Sequence, residues 1–182
     1  MLVPSVKAAW IERVKAGARV INSACRYQSI TKLVRDNDAD AFILDIMGNN
    51  EVRKDYDVML ALVKETEVEC IRTIIGIVDA NLWDNPDFII DTKVFSLLDY
   101  VSERLKHDKE FALRCIKVDP WNIFNFRRSP DIMYDPVLVA EAYSRDNDII
   151  RSHHYSPELA EGKAVREHPD FVERVFRTKI LK

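Results

Sequence analysis

The chain has 182 residues, 47% of them apolar and 31% charged, with a formal net charge of −3. That balance excludes a wholly disordered chain and leaves enough apolar material for a real core. No run of eighteen apolar residues occurs, which excludes a helical membrane span, and Lys7, Glu12, Arg13 and Lys15 interrupt the opening too often for a secretory signal. Charge is unevenly spread: residues 1–35 carry +6, so the remainder carries −9.

The first element is an amphipathic helix over residues 5–27. Val6, Trp10, Val14, Gly17, Ile21, Ala24 and Cys25 share one face at 100° per residue, while Lys15, Arg19 and Arg26 cluster opposite. Further helices are expected over 38–47, 55–65, 67–79, 86–104, 108–117, 120–126, 136–144, 146–154, 157–166 and 169–180. Proline supplies most of this punctuation. Asn85-Pro86, Asp119-Pro120, Ser129-Pro130, Asp135-Pro136 and Ser156-Pro157 each set a capping residue before a ring whose φ is already helical, and His168-Pro169 is a weaker version. Gly48 and Gly162 follow amphipathic runs, where a left-handed terminal residue is expected. Residues 68–78 are rich in β-branched side chains, yet no partner strand is evident, so a buried helix is the better reading. The fold class expected is all-α: a compact, helical-repeat-like array of short antiparallel helices in one domain over 1–182. Within it lie a basic region (1–35), loosely repeat-like helices (36–96) and clearer repeats (97–182).

A phrase recurs along the chain: an apolar residue, two variable residues, a cap, then apolar residues at helical spacing. It reads Leu105–Asp108 with Phe111, Ala112, Cys115 and Ile116, and again Ile132–Asp135 with Leu138, Val139, Ala142 and Tyr143. Looser copies run from Leu33 to Asp36, Val52 to Asp55 and Val165 to His168, so successive caps stand 19, 53, 27 and 33 residues apart. One such unit cannot bury its apolar stripe alone, so neighbours must stack. The stretch LLDYVSERLKHDKEFALRCIKVDPWNIFNFRRSPDIMYDPVLVAEAY resembles two units of an uncharacterised tandem helical repeat, a domain of unknown function in bacterial, protist and large-virus proteins. The likeness is best over residues 97–145. The second unit departs from it at Pro136 and at the inserted Arg127-Arg128. The resemblance implies helical-repeat architecture and brings no catalytic residues with it.

Recognisable chemistry is sparse. DNDAD at 36–40 begins like a calcium loop, but Ala41 and Met47 stand where glycine and glutamate are required. His153-His154 are adjacent, a spacing that does not aim two ligands at one metal, and His107 and His168 hold places beside caps. Cys25, Cys70 and Cys115 lack paired short spacing and suit buried, reduced thiols in a cytoplasmic compartment, that of a cell or of an infected host. No phosphate-binding glycine loop, nucleophile elbow or zinc-protease signature is present. Trp121 reads as a core anchor, and FRRSPD at 126–131 as a solvated loop or as a docking or Ser-Pro phosphorylation site. These patterns predict a non-enzymatic binding module that needs no cofactor and no metal. Its partner is expected to be a protein, the module serving as adaptor or inhibitor. The alternatives are nucleic-acid binding through the basic residues Lys15, Arg19, Arg26, Arg127 and Arg128, and an enzyme with a dispersed site.

Overall fold

The computed structural model describes residues 2–26 and 37–180. The elements are helical throughout, and no strand forms among the described residues. Residues 68–78 form no strand: a 3-10 turn and one turn of α-helix cover 68–74, and 75–78 are irregular. The chain divides into two compact units, Met1–Tyr100 and Val101–Lys182.

The first unit contains α1 (Pro4–Arg26), α2 (Asn37–Met47), α3 (Asn50–Lys54), α4 (Tyr56–Glu65), α5 (Ile71–Ile74), α6 (Ala80–Trp83) and α7 (Pro86–Thr92), with 3-10 turns at Val68–Cys70 and Phe95–Asp99. α1 packs along α4 and also meets α2, which crosses it at Gly17. A Cβ at Gly17 would enter the ring of Phe42, so the missing side chain sets that approach. Asn22 ties α1 to the end of α4, donating to the Glu65 carbonyl at 2.8 Å and accepting from the Glu67 N–H at 2.8 Å. Phe88 anchors the other side of the core, with Tyr56 and Trp83 meeting it edge-on at 5.4 and 5.7 Å.

The second unit contains α8 (Glu103–Lys106), α9 (Lys109–Val118), α10 (Pro130–Met133), α11 (Pro136–Arg145), α12 (Ala160–Glu167) and α13 (Pro169–Ile180). Its 3-10 segments are Pro120–Phe126, Asn147–Arg151 and His153–Tyr155. Buried Asn122 donates from Nδ2 to the Cys115 carbonyl at 2.9 Å, a second bond to an acceptor that the Asp119 N–H also reaches at 3.1 Å near the end of α9. Fully buried Tyr155 donates its hydroxyl to the Met133 carbonyl at 2.7 Å. α12 closes on the backbone of Tyr155 and Ser156, where a Cβ at Gly162 would collide.

One local geometry recurs through both units. A short helix ends, and the next residue or the one after it caps a second helix with its side chain. Asp55, Asn85, Asp108 and Asp135 each accept N–H bonds of 2.9–3.2 Å from the residues two and three places on. His168 does this partially, accepting the Asp170 N–H on Nδ1 at 3.2 Å. In all five, the capping residue's own N–H reaches back three residues, to Val52, Leu82, Leu105, Ile132 and Val165, at 3.1–3.2 Å. Those five apolar residues are buried, as are Val58, Phe88, Phe111, Leu138 and Phe171 three places after each cap. The pattern is a helix–elbow–helix with an apolar residue on each side of the bend. Asn85 was not among the expected copies, and it divides the 53-residue interval into 30 and 23. The copy ending at Asp36 lies outside the described residues.

Several expectations need correction. Residues 86–104 do not form one helix, because Lys93 adopts a left-handed conformation with φ of 57°. Buried Thr92 drives that break: its Oγ1 donates to the Ile89 carbonyl at 2.7 Å and accepts the Val94 N–H at 3.2 Å. Neither Gly48 nor Gly162 is left-handed, since no glycine has positive φ among the described residues. Gly162 lies inside α12 for closeness rather than for dihedral freedom. Ser156-Pro157 does not start a helix; α12 begins later, at Ala160. The helices expected at 67–79 and 146–154 are broken into shorter pieces, and 120–126 is 3-10.

Two substitutions separate these roles. Gly162→Ala should cost about 1–3 kcal/mol, the range for overpacking against a backbone that cannot yield. Gly76→Ala meets nothing within 4 Å and should be neutral or stabilise by up to about 1 kcal/mol. Urea unfolding of both variants checks the pair. By the same assay Asp135→Ala should lose about 1 kcal/mol, and Asp135→Asn, which retains a capping oxygen, much less.

Candidate functional site

The basic side chains of α1 sit on an acidic neighbourhood in their own unit. Lys7 Nζ lies 2.7 Å from Asp57 Oδ2 and 3.2 Å from the nearly buried Asp55. Hydrogen bonds to Asp57 and then Asp55 raise the Lys7 ammonium above its ordinary pKa. Arg13 pairs with Asp45 at 2.7 Å, with its guanidinium 4.9 Å from the centre of the Trp10 ring. Lys15 pairs with Glu12 at 2.9 Å. Arg19 is exposed and has no partner among the described residues. The Arg26 and Cys25 side chains, and those of DNDAD, lie outside the described residues. Arg127 and Arg128 belong to the second unit, where both are exposed and both are engaged within the chain. Arg128 adds to the field that Lys106 chiefly exerts in holding Glu103 below the usual carboxylate range.

The buried face of α1 is shorter than expected. Val14, Gly17, Ala18 and Ile21 are buried, but Val6 is 41% exposed and Trp10 only partly covered. A second stripe, apolar except at Arg13, runs along the outside. Val6, Ala9, Arg13, Ala16 and Val20 follow one another at spacings of three, four, three and four residues, and all are exposed. This is the seam spacing by which one helix receives another. Sequence reading passed over it because alanines 9 and 16 weigh little beside Trp10 and Ile21.

In the second unit Trp121 is 45% exposed rather than a core anchor. Its indole N–H donates to Asp146 Oδ2 at 2.8 Å, so the ring is pinned at the surface by its polar edge. From Trp121 a ladder of rings runs to Phe124 (5.6 Å), His154 (5.4 Å) and His153 (3.8 Å). Sequence spacing could not show this, because the ladder joins residues about thirty positions apart. Ser129 is 2% exposed, which removes it from the reach of a kinase. His107 Nδ1 lies 2.9 Å from Asp131, and His168 serves as a cap.

Buried Cys115 has its thiol pushed up to about 12 by desolvation, so it is an inert packing group. A groove in the second unit is lined by Val137, Glu141, Ser144, Asp170, Glu173 and Arg174. No group of three or more His, Cys, Asp or Glu is placed to hold a metal among the described residues. No helix of the described residues is long and apolar enough to cross a membrane.

The family described as Domain of unknown function (DUF4116) matches residues 93–129. That stretch holds the 3-10 turn at Phe95–Asp99, α8, the Asp108 elbow, α9 and the Pro120–Phe126 segment. The match ends before α10, so it covers the first of the two strongest copies and not the second. No curated protein and no solved structure is significantly similar to the chain.

Arg19 and Arg13 should behave differently when reversed. Arg19→Glu breaks no pair among the described residues and should leave stability within about 0.5 kcal/mol. Arg13→Glu sets a carboxylate beside Asp45 and should cost up to about 1 kcal/mol, less at high salt. Thermal melts at two ionic strengths check both.

Proposed function

We propose that the chain is a non-enzymatic protein-binding module, an adaptor or inhibitor, built from tandem helix–elbow–helix units and working in a cytoplasmic compartment. Its partner lays an amphipathic helix along the outside of α1. The observation that carries this reading is the exposed seam of Val6, Ala9, Arg13, Ala16 and Val20. It covers residues 6–20 of a 23-residue helix, long enough to order a register, and its alanines let two backbones come close. A protein is favoured over a nucleic acid because Lys7, Arg13 and Lys15 already face the chain's own carboxylates. Cations spent in this way release few counterions from a phosphate backbone. Buried Cys70 and Cys115 accord with a reducing compartment.

A photoreactive side chain at Ala16 tests the reading in extract of the native host. The expected result is a discrete adduct that is absent when the same group replaces exposed Lys93. Adding Val6→Glu and Val20→Glu should weaken capture tenfold or more, because desolvating each valine is worth about 1.5 kcal/mol or more and a buried carboxylate reverses that gain. Capture that is equal at both positions, or unchanged by the two glutamates, would overturn it.

A further inference from the structure

The two adjacent histidines sit at the point on which the second unit's helices converge. They belong to the 3-10 turn His153–Tyr155, and their rings stand 3.8 Å apart, centre to centre. His154 rests on Phe124 at 5.4 Å, and Phe124 in turn lies 5.7 Å from buried Tyr155. Tyr155 ties the turn to the end of α10 through its hydroxyl bond to the Met133 carbonyl, and Tyr134 meets its ring edge-on at 6.0 Å. From the other side, Arg166 of α12 donates from Nε to the Tyr155 carbonyl at 2.7 Å and from Nη2 to the Ile150 carbonyl at 2.6 Å. Gly162 of the same helix presses on the Tyr155–Ser156 backbone. This turn of three residues is therefore a principal attachment of α12, which also meets α11 and α13.

We infer that this turn is an acid-sensitive latch: as the histidine pair takes up protons, the turn loosens and releases α12. Two unit charges at this separation repel by a roughly five-fold factor even at the dielectric constant of water, and by more when partly desolvated. The ionisable groups on the surrounding elements do not offset that charge. The Asn147–Arg151 segment supplies Asp148, which is engaged with Arg151 at 2.9 Å. Asp146, which precedes it, holds the Trp121 indole, and α12 supplies Arg166 and Lys163 together with Glu161 and Glu167, whose charges cancel, Lys163 lying 3.9 Å from Glu167. The Pro120–Phe126 segment contributes rings and amides, and α10 with its following residue contributes Tyr134 and Asp131, the latter engaged with His107 at 2.9 Å. Neither imidazole faces a carboxylate among the described residues, unlike His107 with Asp131 and His168 with Asp170. Desolvation, and then the neighbouring His153, lower His154 below its ordinary 6.5. A folded-state pKa below the unfolded value means that the stability is present above 6.5 and is lost as pH falls through that region. The latch therefore holds at neutral pH and weakens in mildly acidic conditions.

Hydrogen exchange on the whole chain at pH 7.5 and pH 5.5, corrected for the intrinsic pH dependence of exchange, tests the inference. The amides of 153–167 should open about five-fold or more readily at the lower pH, while those of α9 and α11 change less. His153→Gln and His154→Gln together should abolish the difference, and His153→Gln alone, which leaves the ring on Phe124, should reduce it. His107→Gln should leave it intact. An acid-induced opening of the same size in the double variant, or one spread evenly over the unit, would overturn the latch.

Discussion

The fold depends on one short-range constraint: a carboxylate or amide oxygen that claims the first N–H groups of a helix just as the previous helix ends. At Asp55, Asn85, Asp108 and Asp135 the same oxygen serves two donors, and the residue's own N–H closes the turn behind it. A side chain that satisfies backbone donors in this way competes with continuation of the helix, so the chain bends rather than running on. Because the residues three before and three after the bend are apolar, both arms must bury the same side. A single elbow cannot do that alone. Stacking against the next one is the available solution.

Where the elbows leave gaps, closeness of backbone takes over. Gly17 admits the Phe42 ring, and Gly162 admits the Tyr155–Ser156 backbone. Both are helical, and neither needs an unusual dihedral angle. The second contact gathers three links onto one turn: the Tyr155 hydroxyl, the Arg166 bond to the Tyr155 carbonyl and the glycine face of α12. Small changes in charge at His153 and His154 consequently act on a whole helix rather than on an isolated loop. The first helix shows the opposite economy. Its inner face is complete with Val14, Gly17, Ala18 and Ile21, which frees its outer stripe for something else.

Much of the architecture was legible in the sequence. The Asp-Pro and Asn-Pro pairs placed α7, α11 and the Pro120–Phe126 segment, and the repeated apolar–cap phrase located the Asp55, Asp108 and Asp135 elbows. Asn85 escaped because its unit was read as the start of one long helix through 104. The break at Lys93 comes from a threonine hydroxyl turning back on its own helix, and neither glycine nor proline marks it. Glycine misled in the other direction, since its use here lies in contact between elements and not in local dihedral freedom. The site was less legible than the fold. Charge counting found the basic first helix but could not show that Asp45, Asp55 and Asp57 meet it. The ring ladder and the histidine latch join segments that only the folded chain brings together.

The most direct test of this account is native-state hydrogen exchange at five amides: those of Asp55, Asn85, Asp108, Asp135 and His168. Each donates to a carbonyl three residues back, so each should be protected to about the degree of the helical amides that follow it. Exchange at the rate of an unstructured chain at these positions, with the flanking helices still protected, would mean that the helices are joined by loose linkers and that the elbow does not organise the fold.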